Sequence, residues 1–419
     1  MSVQNGITQR PKNFFRNILI FLSVAGPGII TANVDNDAGG ITTYSVAGAH
    51  FGYATLWIFI PMVVALTVIQ EMCSRMGVVT GKGLADLFRE RFGVKVTFYA
   101  MIVLVLSNLG NTMAEFSGVA ASGEIFGIPR VVSVPLAAIF VWWLVVKGTY
   151  QSVEKVFLGA CLFYVSYIIS GFMVRPPWGE IASSVIVPRF ELGSSYLFML
   201  IGVIGTTIAP WMQFYQQSAV VEKGISVRDY RYARLDVIIG SIVVHVVAFF
   251  IVVVCAVTLF KNGVRIETAK DAALALKPLA GNYCAYLFAF GLLNASLFAA
   301  SILPLATAYS VCEGLGWETG VDKRLKDAPQ FYFLYTALIV LGAGVVMIPH
   351  VNLVFVMLVS QFANGVLLPF VLVFMLILIN DKNLMGEHRN SLFFNSVSWI
   401  TVIAVSAFTV LLVFFYCIR

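Results

Sequence analysis

Two carboxylates, Asp35 and Asp37, stand inside a run of apolar and small residues (17–48) long enough to be read as crossing a bilayer. In hydrocarbon an unpaired carboxylate costs at least ~2.5 kcal/mol on insertion scales, so each needs a cavity, a partner or a cation. A second role is open to the same residues, because an aspartate ahead of Gly39-Gly40 can cap a half-helix that starts there. We expect one aspartate to face a cation and the other to cap the half-helix or face an aqueous vestibule; the pattern does not say which. A third acid, Glu115, lies in a later apolar run with Asn108 and Asn111 at spacings of three and four, hence on one helix face looking into a bundle. That stripe fits either an acidic group near an ion or an interhelical hydrogen-bond network.

Neutral oxygens extend the set. Thr206, Thr207 and the carbonyl of Ala209 precede Pro210, which lacks an N–H and disrupts the helical ladder. Gln361 and Asn364 add carboxamides. Carboxylates with neutral oxygens suit Mg²⁺, Ca²⁺ or Mn²⁺, whereas copper or zinc would want Cys, Met or His. His245 is alone on an apolar stretch and reads as a hydrogen-bonded core residue; the six cysteines show neither ligand nor disulfide spacing. Glu71, Arg75 and Asp86 read as solvated or gate-pairing charges. The chain has no phosphate-binding Gly loop with Lys, no His-Glu-x-x-His and no Gly-x-Ser-x-Gly elbow. Nothing supports covalent catalysis, so we expect no enzyme and no cofactor.

These residues must be held by membrane helices. The chain is 59% hydrophobic and 11% charged, with mean hydropathy +0.90, against roughly 25% charged residues in a soluble domain. Apolar runs predict eleven spans, at 17–48, 54–73, 96–122, 131–147, 155–174, 194–221, 236–260, 281–311, 330–348, 352–379 and 393–417. The longest polar connection, 312–329, is too short to bury a core of its own. A single membrane domain, 17–419, therefore follows a polar and basic tail, 1–16. With that tail in the cytoplasm, 19 of the 27 Lys and Arg fall on the cytoplasmic side and 8 outside. This orients the chain in the cell membrane with its N-terminus inside and its C-terminus outside. The net charge of +6 is thereby spent on topology, not on a nucleic-acid surface.

Spans one and six are long and interrupted. The first contains Gly26-Pro27-Gly28 and then Asn33 to Gly40; the sixth contains Gly202, Gly205-Thr206-Thr207 and Ala209-Pro210. They open two five-span halves, repeat one at 17–174 and repeat two at 194–379, with 393–417 appended. Matching broken helices in two odd-numbered halves predict an all-α, LeuT-like inverted repeat, in which unwound backbone near the midplane serves an ion.

The residues also resemble a known family. Gly26-Pro27-Gly28, eight residues, Asp37-Ala38-Gly39-Gly40 and then Gly48-Ala49-His50-Phe51-Gly52-Tyr53 resemble the Nramp family of divalent metal transporters, whose first span runs Gly-Pro-Gly, eight residues, Asp-Pro-Gly-Asn. Gly205-Thr206-Thr207-Ile208-Ala209-Pro210-Trp211 resembles that family's Gly-Ala-Thr-Val-Met-Pro-His, and Ser360-Gln361 with Leu368-Pro369-Phe370 fits as well. The resemblance puts the metal-binding aspartate at Asp37, the asparagine ligand at Gly40 and the methionine ligand at Ala209. The two histidines associated with proton coupling fall on Trp211 and Gln216. It is closest to the Nramp-related magnesium transporter branch, in which a third-span acid, here Glu115, also lines the site.

What this implies is a transporter of Mg²⁺, and of Mn²⁺, uncoupled from protons, with Asp37, Ala209, Glu115, Gly40 and Gln361 around the ion. Asp35, Asn108, Asn111, Thr206, Thr207 and Asn364 would lie behind them or along a vestibule. The rivals are a proton-coupled Mn²⁺/Fe²⁺ symporter of the ordinary Nramp type and a sodium-coupled organic-solute symporter on the same architecture. The expected partners are the divalent ion and the lipid bilayer, with no nucleic acid and no obligate protein partner.

Overall fold

A computed structural model describes residues 26–147, 165–190, 193–277, 281–321 and 323–417. The predicted tail, the first residues of span one and the first half of span five lie outside the described residues. Among those described, nine helices are long and apolar enough to cross a membrane. The other two expected spans are represented by a broken pair of half-helices and by a nine-residue helix, Val165–Met173.

In chain order the helices used below are α1 (Pro27–Val34), α2 (Ala38–Phe51), α3 (Phe59–Thr80), α4 (Leu84–Ile125, kinked at Gly93), α5 (Arg130–Lys147), α6 (Val165–Met173), α7 (Trp178–Ile186), α8 (Ser194–Thr207), α9 (Pro210–Glu222), α10 (Tyr230–Thr258), α11 (Cys284–Leu315), α12 (Pro329–Val346), α13 (Leu353–Ile379) and α14 (Leu392–Cys417). Two boundaries differ from the sequence expectation. Span two runs to Thr80 instead of ending at 73, because Glu71 and Arg75 pair inside the protein and the helix does not stop at its first charges. Span three begins at Leu84, its polar first turns being helical as well.

Both broken spans are broken where expected. α1 ends at Val34 and α2 restarts after Asp37, whose φ of −69° and ψ of −173° are those of an N-cap. α8 ends at Thr207 and α9 restarts with Pro210 at its first position, where a missing N–H costs nothing. α10 packs along both halves of the first broken span, while α4, α11 and α13 close the other side. Large side chains on the outside, such as Leu106, Leu136 and Phe370, are more than 60% exposed, as a lipid-facing surface requires.

The ends of α3, α9, α11 and α13 and the starts of α4, α10, α12 and α14 share one face, on which the basic loops collect; we call it the basic face. Arg75 is anchored there and not solvated. Its guanidinium pairs with Glu71 at 3.1 Å, donates to the carbonyls of His388 and Arg389 at 3.1 Å and to Asn390 at 2.6 Å, and lies over Phe394. Asp86 pairs with Arg89 at 3.2 Å. His245 takes the core role expected of it, its Nδ1 bonding the Ser241 carbonyl at 2.7 Å.

One buried acid escapes the sequence reading. Asp236, at the start of α10, accepts the N–H groups of Gly26 at 3.1 Å, Gly28 at 2.6 Å and Ile29 at 3.4 Å, and so caps α1 from a neighbouring span. Asp236→Ala strands these donors in a low-dielectric interior, a cost of about 2 kcal/mol. A lower midpoint in thermal unfolding of the detergent-solubilised protein is the expected result, and an unchanged midpoint would remove Asp236 from the account of how α1 is held.

Candidate functional site

The two breaks face each other at mid-depth, and the polar residues anticipated from the sequence divide there into two groups. The first surrounds the start of α2. Asp37 Oδ1 accepts the Gly40 N–H at 2.6 Å, and Glu115 Oε2, arriving from α4, accepts the Ala38 N–H at 3.2 Å. The two carboxyl groups therefore both meet the positive end of the half-helix. Asp37 is thus both a cap and a candidate ligand, which joins the two roles left open for it. Asp35 meets the Tyr44 hydroxyl at 3.4 Å, and Tyr44 in turn contacts Thr207 Oγ1 at 2.7 Å, linking the two broken spans.

The second group is a network behind the first. Asn364 exchanges hydrogen bonds with Asn111 at 3.0 Å in both directions and accepts from Ser107 at 3.0 Å. Asn108 donates to Thr307 on α11 at 2.8 Å. The carboxamides of Asn108, Asn111 and Asn364 are therefore spent on holding α4, α11 and α13 together. Of the stripe on α4, Glu115 alone points into the first group.

Four oxygens or nitrogens in this region have no partner among the described residues: Asp35 Oδ1, Glu115 Oε1, Thr206 Oγ1 and Gln361 Nε2. Their residues are at most 2% exposed. Unshared buried polar atoms are uncommon, and three oxygens gathered where two spans break form a hard donor set. No three His, Cys, Asp or Glu side chains converge into a metal cage among the described residues. An ion placed here would meet carboxylates and neutral oxygens, with water left to complete its shell.

The geometry alters three of the expected ligands. The Ala209 carbonyl accepts the Met212 N–H at 3.1 Å and, with the Gln213 carboxamide turned to face it, the Gln213 side chain at 2.6 Å. Both lone pairs are then engaged. The carbonyl that Pro210 leaves without an N–H is that of Thr206, four residues earlier. Gln361 presents Nε2 to Gly39, its Oε1 being taken by Asn364 at 2.9 Å, so its carboxamide must turn over to offer oxygen to a cation. Gly40 contributes no side chain, and a Cβ there would collide with the Asp35 carbonyl oxygen. Its place in the site is to let the broken ends approach.

Trp211 and Gln216 are buried in α9; Gln216 accepts the Thr31 hydroxyl at 2.8 Å and ties α9 to α1 below the site. The Met357 thioether, one turn from Gln361, accepts the Thr42 hydroxyl at 3.3 Å.

The profile of the family described as "Natural resistance-associated macrophage protein-like" (Nramp) matches residues 28–415. The divalent metal cation transporter MntH of Bacillus subtilis (strain 168) is 25% identical over 409 residues, covering 95% of this chain and 93% of its own length. The crystal structure of the Eremococcus coleocola manganese transporter in complex with an aromatic bis-isothiourea substituted compound aligns with TM-score 0.79 at 21% identity, over 97% of this chain and 88% of that one. MhsT in complex with L-phenylalanine shares the architecture at TM-score 0.58 and 16% identity, over 92% and 98%.

The packing at the break yields a test. Gly40→Asn would restore an amide side chain at the family's ligand position, yet the collision with the Asp35 carbonyl predicts loss of divalent-cation binding in calorimetry. Binding as tight as in the unaltered protein would mean that the half-helices separate enough to admit a ligand there.

Proposed function

The chain belongs to the Nramp family, and from that premise we propose that it is a divalent metal cation transporter that carries partly hydrated Mg²⁺, and Mn²⁺, into the cell without moving protons. The observation that carries the reading is the donor set at the two breaks. Asp35, Asp37, Glu115 and Thr206 supply oxygen alone, and among the described residues no group of three His, Cys, Asp or Glu side chains converges on a metal position. Mg²⁺ dehydrates reluctantly and keeps several waters when one or two carboxylates hold it. With Ala209 where relatives are expected to place a side-chain ligand, that ligand's place is left to water, while the space over Gly40 is closed by the Asp35 carbonyl.

Asp37 and Glu115 take the charge of the ion, Asp35 and Thr206 bind it directly or through water, and Gln361 joins on turning its carboxamide. Uncoupled transport is supported by α9, which has no histidine and whose first acid is Glu222 at its end. A proton carrier on that helix would need one nearer the break. An inside-negative potential of 100 mV contributes about 4.6 kcal/mol to uptake of a doubly charged ion, so accumulation needs no proton gradient.

The finer architecture belongs to the same proposal. Eleven spans form inverted repeats at about 17–174 and 194–379, with 393–417 appended, a cytoplasmic N-terminus and an outward C-terminus. Rocking of α1 and α9 away from α4 and α11 opens the inner side.

Proteoliposomes holding an internal Mg²⁺ dye and a pH dye test this. Saturable Mg²⁺ influx without acidification, reduced at least about tenfold in Asp37→Ala as expected for loss of a charged ligand, is the predicted outcome. Failure to carry Mg²⁺ while Mn²⁺ enters with protons would replace the reading by proton-coupled manganese transport.

A further inference from the structure

A second set of unshared oxygens lies on the basic face, away from the breaks. Glu313, in the last turn of α11, is 9% exposed; its Oε1 accepts the Ser218 hydroxyl of α9 at 2.7 Å, and its Oε2 has no partner among the described residues. Gln217, fully buried, donates Nε2 to the Lys82 carbonyl at 2.8 Å and leaves Oε1 without a partner. Lys82 and Gly83 belong to the turn between α3 and α4. Glu313 fills the space that a side chain on Gly83 would need, since a Cβ there would collide with both carboxylate oxygens. Asp86, in the first turn of α4, and Glu222, one turn beyond Ser218, add negative charge around it. A face whose loops are basic thus holds a buried carboxylate, that of Glu313, where α9, α11 and the α3–α4 turn meet, with Asp86 paired to Arg89 nearby.

A purely structural role accounts for part of this. α4 starts at Gly83 without a side-chain cap, and a carboxylate beside its N-terminus is favourable. The oxygen nearest Gly83 is Oε2, which that role leaves without a hydrogen-bond partner among the described residues, and Gln217, bonded to the same turn, leaves a second buried oxygen without one. Each such atom carries a desolvation cost of about 1–3 kcal/mol unless something arrives to share it. Carboxylate, carboxamide and hydroxyl oxygens together are a hard set, suited to a divalent cation that retains water. Asp86, Glu222 and Glu313 do not converge into a cage, so such an ion stays hydrated on its open side.

The position gives the pocket its use. Ser218 lies nine residues beyond Ala209, about 13 Å along α9 from the break. α9 must move for the inner side to open, and the Ser218–Glu313 bond ties it to α11.

Resting on the transport reading above, we infer that Glu313, Gln217 and Ser218 form a second divalent-cation site, an inner station that receives the ion after it leaves Asp37 and Glu115. As α9 separates from α11, Ser218 releases Glu313 and both carboxylate oxygens turn to the hydrated ion. When the ion departs, the hydroxyl returns and the pocket closes.

Mn²⁺ serves as the probe on the full-length chain. Calorimetry on the solubilised protein is expected to resolve two classes of Mn²⁺ site, the weaker absent in Glu313→Gln and in Gln217→Leu, the tighter absent in Asp37→Ala. In proteoliposomes Glu313→Gln should lower the maximal Mn²⁺ uptake rate about tenfold while the half-saturating concentration stays within twofold. Two results overturn the inference: both variants binding and transporting as the unaltered protein does, or both losing the tighter class together with a lowered unfolding temperature, which would make the pocket a support of the fold. No uptake of Mn²⁺ or Mg²⁺ by the unaltered protein would instead defeat the transport reading on which the station rests.

Discussion

A helix broken inside a bilayer leaves backbone N–H and C=O groups with no water to satisfy them, and each costs several kcal/mol if nothing else does. In this chain the interruption between Val34 and Ala38 is tolerable because two carboxylates close it: Asp37 takes the Gly40 N–H and Glu115 takes the Ala38 N–H. The half-helix in turn stabilises two acids that would otherwise repel one another in a low-dielectric interior. Cap and site are therefore one object. The acids are held before any cation arrives, and an ion that binds them competes with N–H groups for their lone pairs. On the proposed reading this would temper binding, which a carrier needs, since an ion held by naked carboxylates would not leave.

Around that junction the remaining contacts divide into those that fix and those that part. Asn108, Asn111 and Asn364 lock α4, α11 and α13 through side-chain amides that have little left to offer an ion. Tyr44 with Thr207, and Thr31 with Gln216, join the two broken spans to each other above and below the site. Each of these is a single neutral hydrogen bond, worth about 1 kcal/mol net, and so able to break and reform within a transport cycle. Asp236 holds the start of α1 to α10 with three backbone bonds, so a displacement of α1 that keeps them would carry α10 with it.

Much of this was legible in the residues themselves. Apolar length marks the spans, Pro210 and the Asp35 to Gly40 stretch mark the breaks, and intramembrane acids announce themselves because hydrocarbon makes them expensive. What stayed hidden depends on which surfaces meet. Ala209 seemed a free carbonyl from its place before Pro210, but the Gln213 side chain and the Met212 N–H fold back onto it. Gln361 looked like an oxygen donor until Asn364, three residues on, claimed that oxygen. Asp236 and Glu313 sit at the ends of spans, where a charge ordinarily means contact with water, and the sequence has no signal that distinguishes a solvated end from a buried one.

Selectivity follows from the same chemistry. A thioether prefers a softer ion and rewards stripping its water, whereas carboxylate, hydroxyl and backbone oxygens offer Mg²⁺ little that water does not. A site that cannot reward dehydration does best by leaving the hydration shell largely in place, and it then selects by charge and by the width left between its walls. Here that width is set by Gly39 and Gly40, whose missing side chains bring α2 against Gln361 and the Asp35 carbonyl. On the proposed reading, the closeness of the broken ends, not the identity of any one ligand, would decide how much water the ion keeps.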